Sequence, residues 1–434
     1  MFSGSFLHST HFRDRVFRVI RQAFDQAAAL DGGASFRRCA RLSDWDFVQF
    51  VVTRVLGKFD SGRDFLQEQA AKHHCPRSTF FSAMQSPRRL QVMRLVADRL
   101  FRTLGEAICV KEGVDYLAGF PELTEFSVFS GDGHFIKHSA HTRKRRGRTF
   151  GAGSIYLLDL RNGLTLPVCP VTYGDRKSHE IPCFKNAVRS RPSDHFDRRN
   201  TLWVLDNAYT DHGWWEKQKR RGHYVITRLK SNYSALTCGE IPFDGKDPIN
   251  AGVINYRLAG FSSTGGCLTI VEVKDPETNQ KIGFVSNLPQ TFRPGLIAWL
   301  YFKRWNIEKS FDSFKNDLKE NKAWADGMNA LDIQSQAIAM VFNILRTVHE
   351  MVRSDQHRHT GCPTISETKY ANALEKRAAI AAKKGKSLYP FHTLLPRMPR
   401  LPSAFIRGFR TLFARNSPLK LAWLALVALL FSPQ

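Results

Sequence analysis

The sequence predicts an α/β fold: a mixed five-stranded sheet flanked by helices, with a β-rich insertion, a helical N-terminal region and a helical C-terminal tail. Three observations carry this expectation. The hydrophobic period is helical up to about residue 122, changes to two from about residue 123, and turns helical again at Pro294. Turn residues punctuate the middle stretch, with Asn162-Gly163 as a strong hairpin signal. The run of elements is three strands, a crossover, a strand, a short helix and a strand, which packs most naturally as a mixed sheet between helices.

The opening residues set Phe12, Val16, Val19, Ile20 and Phe24 at helical spacing and contain no signal-peptide-like apolar run. Residues 1–122 read as a helical DNA-binding domain. Within it, Phe65 to His74 and Ser78 to Met84 flank a break at Cys75-Pro76, with Ser78 and Thr79 as candidate caps. This fits a helix-turn-helix whose second helix enters a major groove, and it fits an ordinary helical hairpin equally well. The five strands are read in FSVFSGDGHFIKH, SIYLLDL, LTLPVCPVTY, TLWVLD and HYVITRLK, with WWEKQKRR as a short helix. Residues 231–288 hold further strands and form the insertion. Residues 123–353 make the catalytic region, 354–365 a linker, and 354–434 as a whole a basic helical region. LAWLALVALLF is apolar but too short to span a bilayer, so it is expected to be a core or dimer-contact helix, and no membrane is expected as a partner.

Composition narrows the function. Sixty-four Lys and Arg against 39 Asp and Glu give a net charge of +25, a surplus that repels itself unless it meets a polyanion. Nucleic acid is the first candidate. Eight single cysteines without a CxxC pair suggest a reduced cytosolic compartment. Gly385-Lys386-Ser387 ends like a phosphate loop, but position 380 is Ile and no strand precedes it. The groups His73, His74, Cys75 and His357, His359, Cys362 match no structural-zinc spacing. Trp214, Trp215 and Trp305 could stack on a displaced base, but core packing is the expectation for each.

The stretch LIAWLYFKRWNIEKSFDSFKNDL, residues 296–318, carries the chemistry. On one helix at about 100° per residue, Leu300, Ile307, Phe311, Phe314 and Leu318 form an apolar stripe. Tyr301, Arg304, Glu308 and Lys315 border it over about 21 Å, enough to follow several phosphates of a strand. Alone, this is an amphipathic helix with an i,i+4 ion pair.

The spacing Tyr301, Arg304, Glu308, Lys315 also resembles the Tyr-Arg-Glu-Lys signature of bacterial insertion-sequence transposases of the insertion-sequence-four group, within SNLP and KRWNIEKSF contexts that look alike. The resemblance is strongest over about 123–350. It implies a ribonuclease-H-like fold with Asp132 in GDGHF, Asp206 in TLWVLDNAY and Glu308 as catalytic carboxylates. These would converge to hold two divalent ions, Mg²⁺ or Mn²⁺. Tyr301, Arg304 and Lys315 would hold the DNA end. The resemblance further implies terminal inverted repeats and target DNA as partners, a homodimer in a synaptic complex, and a bacterial cytoplasmic, nucleoid-associated protein. Asn207-Ala208-Tyr209 departs from the small residue or Gly often found after the second Asp. Three carboxylates on magnesium suit the chemistry, because that hard ion takes oxygen ligands and two such ions serve both the attacking and the leaving oxygen.

The alternatives are a related nuclease or resolvase, and a non-catalytic DNA-binding regulator, from which loss of an acidic residue is expected. A paired-carboxylate glycosidase leaves the charge and the Tyr-Arg-Glu-Lys stripe unexplained. Arg143, Lys144, Arg145, Arg146 and Arg148 form a basic run between two strands, read as a contact to the DNA backbone. Removing these charges should flatten the dependence of log K on log salt by about 0.9 per lost phosphate contact, with little change in sequence preference. A salt titration of DNA binding checks this; an unchanged slope makes the run a bystander.

Overall fold

The computed structural model describes residues 11–37, 41–57, 59, 62–73, 75–137, 151–172, 180–190, 198–230, 235–261, 267–275, 279–318, 320–321, 323–385 and 398–431. The basic run at 143–148 lies outside them. Five helices come first: α1 (Phe12–Leu30), α2 (Asp44–Leu56), α3 (Gly62–His73), α4 (Arg77–Gln85) and α5 (Pro87–Glu106). Ser43 caps α2 and Ser86 caps α5, each side chain accepting a backbone N–H of the first turn. On α4, Phe80, Ala83 and Met84 are buried, while Arg77, Ser78, Ser82 and Gln85 are exposed. Its N-cap is Pro76, not Ser78 or Thr79.

The sheet follows with β1 (Phe126–Lys137), β2 (Gly151–Asp159), β3 (Thr165–Thr172), α6 (Glu180–Ser190), β4 (Asn200–Leu205), α7 (His212–Lys219) and β5 (His223–Arg228). Gly163, at φ 78°, turns the β2–β3 hairpin as the Asn-Gly pair predicts. Strand β4 is buried on both faces, as a central parallel strand should be. Leu202 and Val204 join the core on one face and Trp203 and Leu205 that on the other. Helix α6, read from the sequence only as a crossover, places Phe184 and Val188 under the second face.

The insertion supplies β6 (Leu236–Glu240), β7 (Val253–Gly260), β8 (Cys267–Lys274) and β9 (Lys281–Ser286). These strands do not form a separate body. Strand β9 pairs with β5, so the sheet has nine strands rather than five, in the order β3-β2-β1-β4-β5-β9-β8-β7-β6. Pairing the open edge of β5 satisfies backbone groups that an edge strand would leave exposed.

The last helices are α8 (Pro294–Lys303), α9 (Trp305–Asn316), α10 (Met328–Thr360), α11 (Ile365–Lys383), α12 (Ser403–Arg415) and α13 (Leu419–Phe431). The single helix expected over 296–318 is interrupted at Arg304, where the N–H of Arg304 bonds the Tyr301 carbonyl and that of Ile307 bonds the Arg304 carbonyl. These tightened three-residue bonds divide the helix at the residue that turns inward. The expected linker 354–365 is largely helical: α10 runs to Thr360 and stops at Gly361, in the left-handed region at φ 66°. Among the described residues, no helix is long and apolar enough to cross a membrane.

Helix α10 is the spine. One hydrophobic core joins it to α1, α2, α5, α8 and the C-terminal helices. Within it Glu350, fully buried, takes Arg346 at 3.2 Å and Arg353 at 2.8 Å. Burial alone would raise the Glu350 carboxyl, but the two guanidinium groups and His349 hold it well below the usual range. Its contribution to stability is therefore present above the ordinary carboxylate range and is lost only in strong acid. Glu350→Ala should cost about 3–5 kcal/mol by leaving buried cations unpaired. Thermal or denaturant unfolding at neutral pH checks it; a loss under about 1 kcal/mol would mean water compensates.

Candidate active site

The two aspartates arrive together through sheet register. Strands β1 and β4 run parallel and their pairing ends at Gly131 opposite Leu205. Asp132 and Asp206 are the next residues on each, so the two stand side by side where the parallel pairing stops, Asp132 within β1 and Asp206 just past the end of β4. The glycines flanking Asp132 are needed for close approach. A Cβ on residue 131 would stand 3.0 Å from Leu205 and 3.3 Å from Phe184, and one on residue 133 would stand 2.7 Å from Glu180 Oε1. Asp206 caps a short turn, its carbonyl accepting the Tyr209 N–H at 3.0 Å.

Glu308 comes from α9, and Arg304 joins it to β1. The guanidinium is 5% exposed. Its Nη1 donates to Asp132 Oδ2 at 3.1 Å and its Nη2 to Glu308 Oε1 at 3.0 Å. Among the described residues its Nε has no hydrogen-bond partner. Burial works against the Arg304 charge, but Tyr301, Asp132, Asp206 and Glu308 outweigh it and raise its pKa. Asp132 is pushed up to about 6, chiefly by burial and against the pull of Arg304 and the Gly133 N–H, with Glu180 and Glu308 adding to the rise.

The rest of the predicted stripe divides. Tyr301 is buried with its ring 5.1 Å from that of Phe284, and Lys315 is exposed. Trp214 and Trp215 are buried as expected, but Trp305 is 53% exposed, with the Arg304 guanidinium 5.7 Å from its ring. It escapes the core because it follows the break that turns Arg304 inward. Helix α9 is also tied to β1 by His134, which stacks on Phe311 and lies 3.3 Å from the buried Glu320. Sequence reading passed over Glu180, Tyr209, His134 and Glu320. His134, within GDGHF, and Tyr209, three residues beyond Asp206, both lie within reach of the motif.

Three carboxylates on two strand ends and a facing helix are hard oxygen donors suited to a divalent ion. Among the described residues, no three His, Cys, Asp or Glu side chains are arranged to hold one, and the Arg304 guanidinium stands between Asp132 and Glu308. A cation thus already stands among the acidic groups, whose oxygen donors are of the type a hard divalent ion takes. The raised Asp132 pKa also has a stability sign. The folded state resists ionising this carboxyl, so its burial costs stability above about pH 6 and nothing below about pH 4. Asp132→Asn should stabilise the fold by about 1–2 kcal/mol at pH 7.5 after screening, seen as a higher melting temperature, with the gain vanishing near pH 4. Melting curves across that range check it; destabilisation at pH 7.5 would show that the Arg304 pair dominates.

Comparison with known proteins places the chain in a family. Residues 124–344 match the family described as "Transposase DDE domain". "Putative transposase y4zB" of Sinorhizobium fredii is 26% identical over 157 residues. That match covers 35% of this chain and 43% of the relative, so the chain spans less than half the length of that protein. The domain match extends over half of the chain and includes both aspartates, Arg304 and Glu308, and the protein therefore belongs to the DDE-domain transposase family.

Proposed function

We propose that the protein binds the terminal inverted repeats of its own element, cleaves there and transfers the 3′ ends to target DNA, as an insertion-sequence transposase of the Tyr-Arg-Glu-Lys group. Asp132, Asp206 and Glu308 are the catalytic carboxylates of a ribonuclease-H-like core, working within a homodimer in the bacterial nucleoid. The observation that carries this reading is the register that sets Asp132 and Asp206 side by side where β1 and β4 stop pairing, with the Arg304 guanidinium bridging Asp132 to Glu308. The same three residues would hold two divalent ions, Mg²⁺ or Mn²⁺. Bound there, the pair supplies an activated attacking oxygen and a stabilised leaving oxygen at the scissile phosphate.

The chain's own groups do the rest. Arg304 leaves the carboxylates and grips a phosphate of the DNA end, where its planar fork allows two parallel hydrogen bonds. Lys315 adds a point charge further along the backbone, and Tyr301 supports the site from beneath. The nucleophile is water in cleavage and a DNA 3′-hydroxyl in joining, so no covalent enzyme intermediate is required. The basic surplus and the Arg143–Arg148 run hold the flanking duplex.

Glu308→Gln should abolish cleavage and leave end binding largely intact, because it keeps the shape but removes a charge needed by the ions. Arg304→Ala should weaken both end binding and cutting. A mere surface pair worth about 0.3–0.5 kcal/mol would leave either change nearly silent. Gel-shift and strand-cleavage assays on labelled terminal repeats, in Mg²⁺ and in Ca²⁺, separate these outcomes. Normal cutting by Glu308→Gln in Mg²⁺ removes the proposed mechanism.

A further inference from the structure

Both aspartates stand one residue past the last position at which β1 and β4 pair with each other, although Asp132 is still paired with Tyr156 of β2. The ladder that sets the spacing of Gly131 and Leu205 therefore does not set the spacing of the two carboxylates. Helix α6 reaches both sides of this gap. Its first residue, Glu180, accepts a hydrogen bond from the Tyr209 hydroxyl at 2.6 Å through Oε1. That same oxygen is seated against Gly133, 2.7 Å from where a side chain would begin. Tyr209 is 3% exposed and belongs to the turn that Asp206 caps. One turn along α6, Phe184 packs on the Tyr209 ring at 5.3 Å and on Gly131. Helix α6 thus touches both glycines beside Asp132 and the turn after Asp206.

We propose that Glu180 and Tyr209 are positioning residues for the catalytic aspartates: their hydrogen bond ties the turn after Asp206 to the backbone beside Asp132 and so fixes the separation of the two carboxylates. The inference rests on the transposase reading above. The electrostatics agree, since Glu180 acts on Asp132, and both Asp132 and Asp206 act on Tyr209. A buried tyrosine hydroxyl costs free energy unless it is bonded, and here its acceptor is a carboxylate, the stronger class of partner. Ring packing alone would need only a phenylalanine at 209. The hydroxyl and the carboxylate are what set this arrangement apart from a filled core.

Outer residues that orient metal ligands typically change metal affinity by about 10–100-fold when removed. Tyr209→Phe keeps the ring and removes only the hydroxyl. It should raise the Mn²⁺ concentration for half-maximal cleavage at least about tenfold, with the plateau rate within about threefold of the parent. Calorimetric titration of Mn²⁺ into the complex with a DNA end should show the same loss of affinity, independently of turnover. Glu180→Ala should match Tyr209→Phe, and Glu180→Gln, whose amide oxygen still accepts, should recover most of the affinity. Glu308→Gln runs alongside as the reference for the underlying mechanism. If it is inactive while Tyr209→Phe and Glu180→Ala bind Mn²⁺ like the parent, the positioning role is overturned and the transposase mechanism stands. Equal loss at every metal concentration with a lowered melting temperature also overturns it, in favour of a structural bond. Normal cutting by Glu308→Gln overturns both.

Discussion

Arg304 is pinned between two carboxylates from different parts of the chain, and much of the site's geometry depends on that pin. Asp132 lies on the first strand and Glu308 on a helix 176 positions later. Without a cation between them, two partly buried carboxylates would repel and the helix would lose its purchase on the strand end. The guanidinium is nearly buried, and its charge is sustained by the acidic groups around it. Removing the cation would leave the two carboxylates facing each other without a positive partner.

The sheet was legible where local chemistry decides it. The Asn162-Gly163 turn, the continuous apolar run of TLWVLD and the period-two stretch around Asp132 each specify a strand without reference to anything distant. The pairing of β9 with β5 was not legible, because a partner for an open strand edge is a long-range choice that no local pattern records. The length of α10 was misread for a similar reason. His, Arg and Asp residues at 353–359 look like a solvated linker, yet Arg353 and His357 bond Glu367 and Arg358 bonds Glu112, which carries the helix on. The break at Arg304 leaves no trace in hydrophobic spacing, since both halves keep the same apolar stripe.

The site shows the same division. Asp132, Asp206, Arg304 and Glu308 could be picked out through their resemblance to a spaced signature, and register and ion pairing then bring them into one neighbourhood. Glu180 escaped because its relevance depends on the path of a crossover. Trp305 was expected in the core, and only the local turn at Arg304 explains why it faces outward.

The two ends of the described fold are stitched together. The N–H of Phe12 bonds the Ser417 carbonyl at 2.9 Å, that of Arg13 bonds Asn416 Oδ1 at 3.1 Å, and the Phe12 ring meets Phe409 at 4.7 Å. During synthesis these partners leave the ribosome about 400 residues apart, which at 5–20 residues per second is roughly 20–80 s. For that interval α1 lacks one wall of its pocket. A nascent chain released early would keep that aromatic face open to solvent.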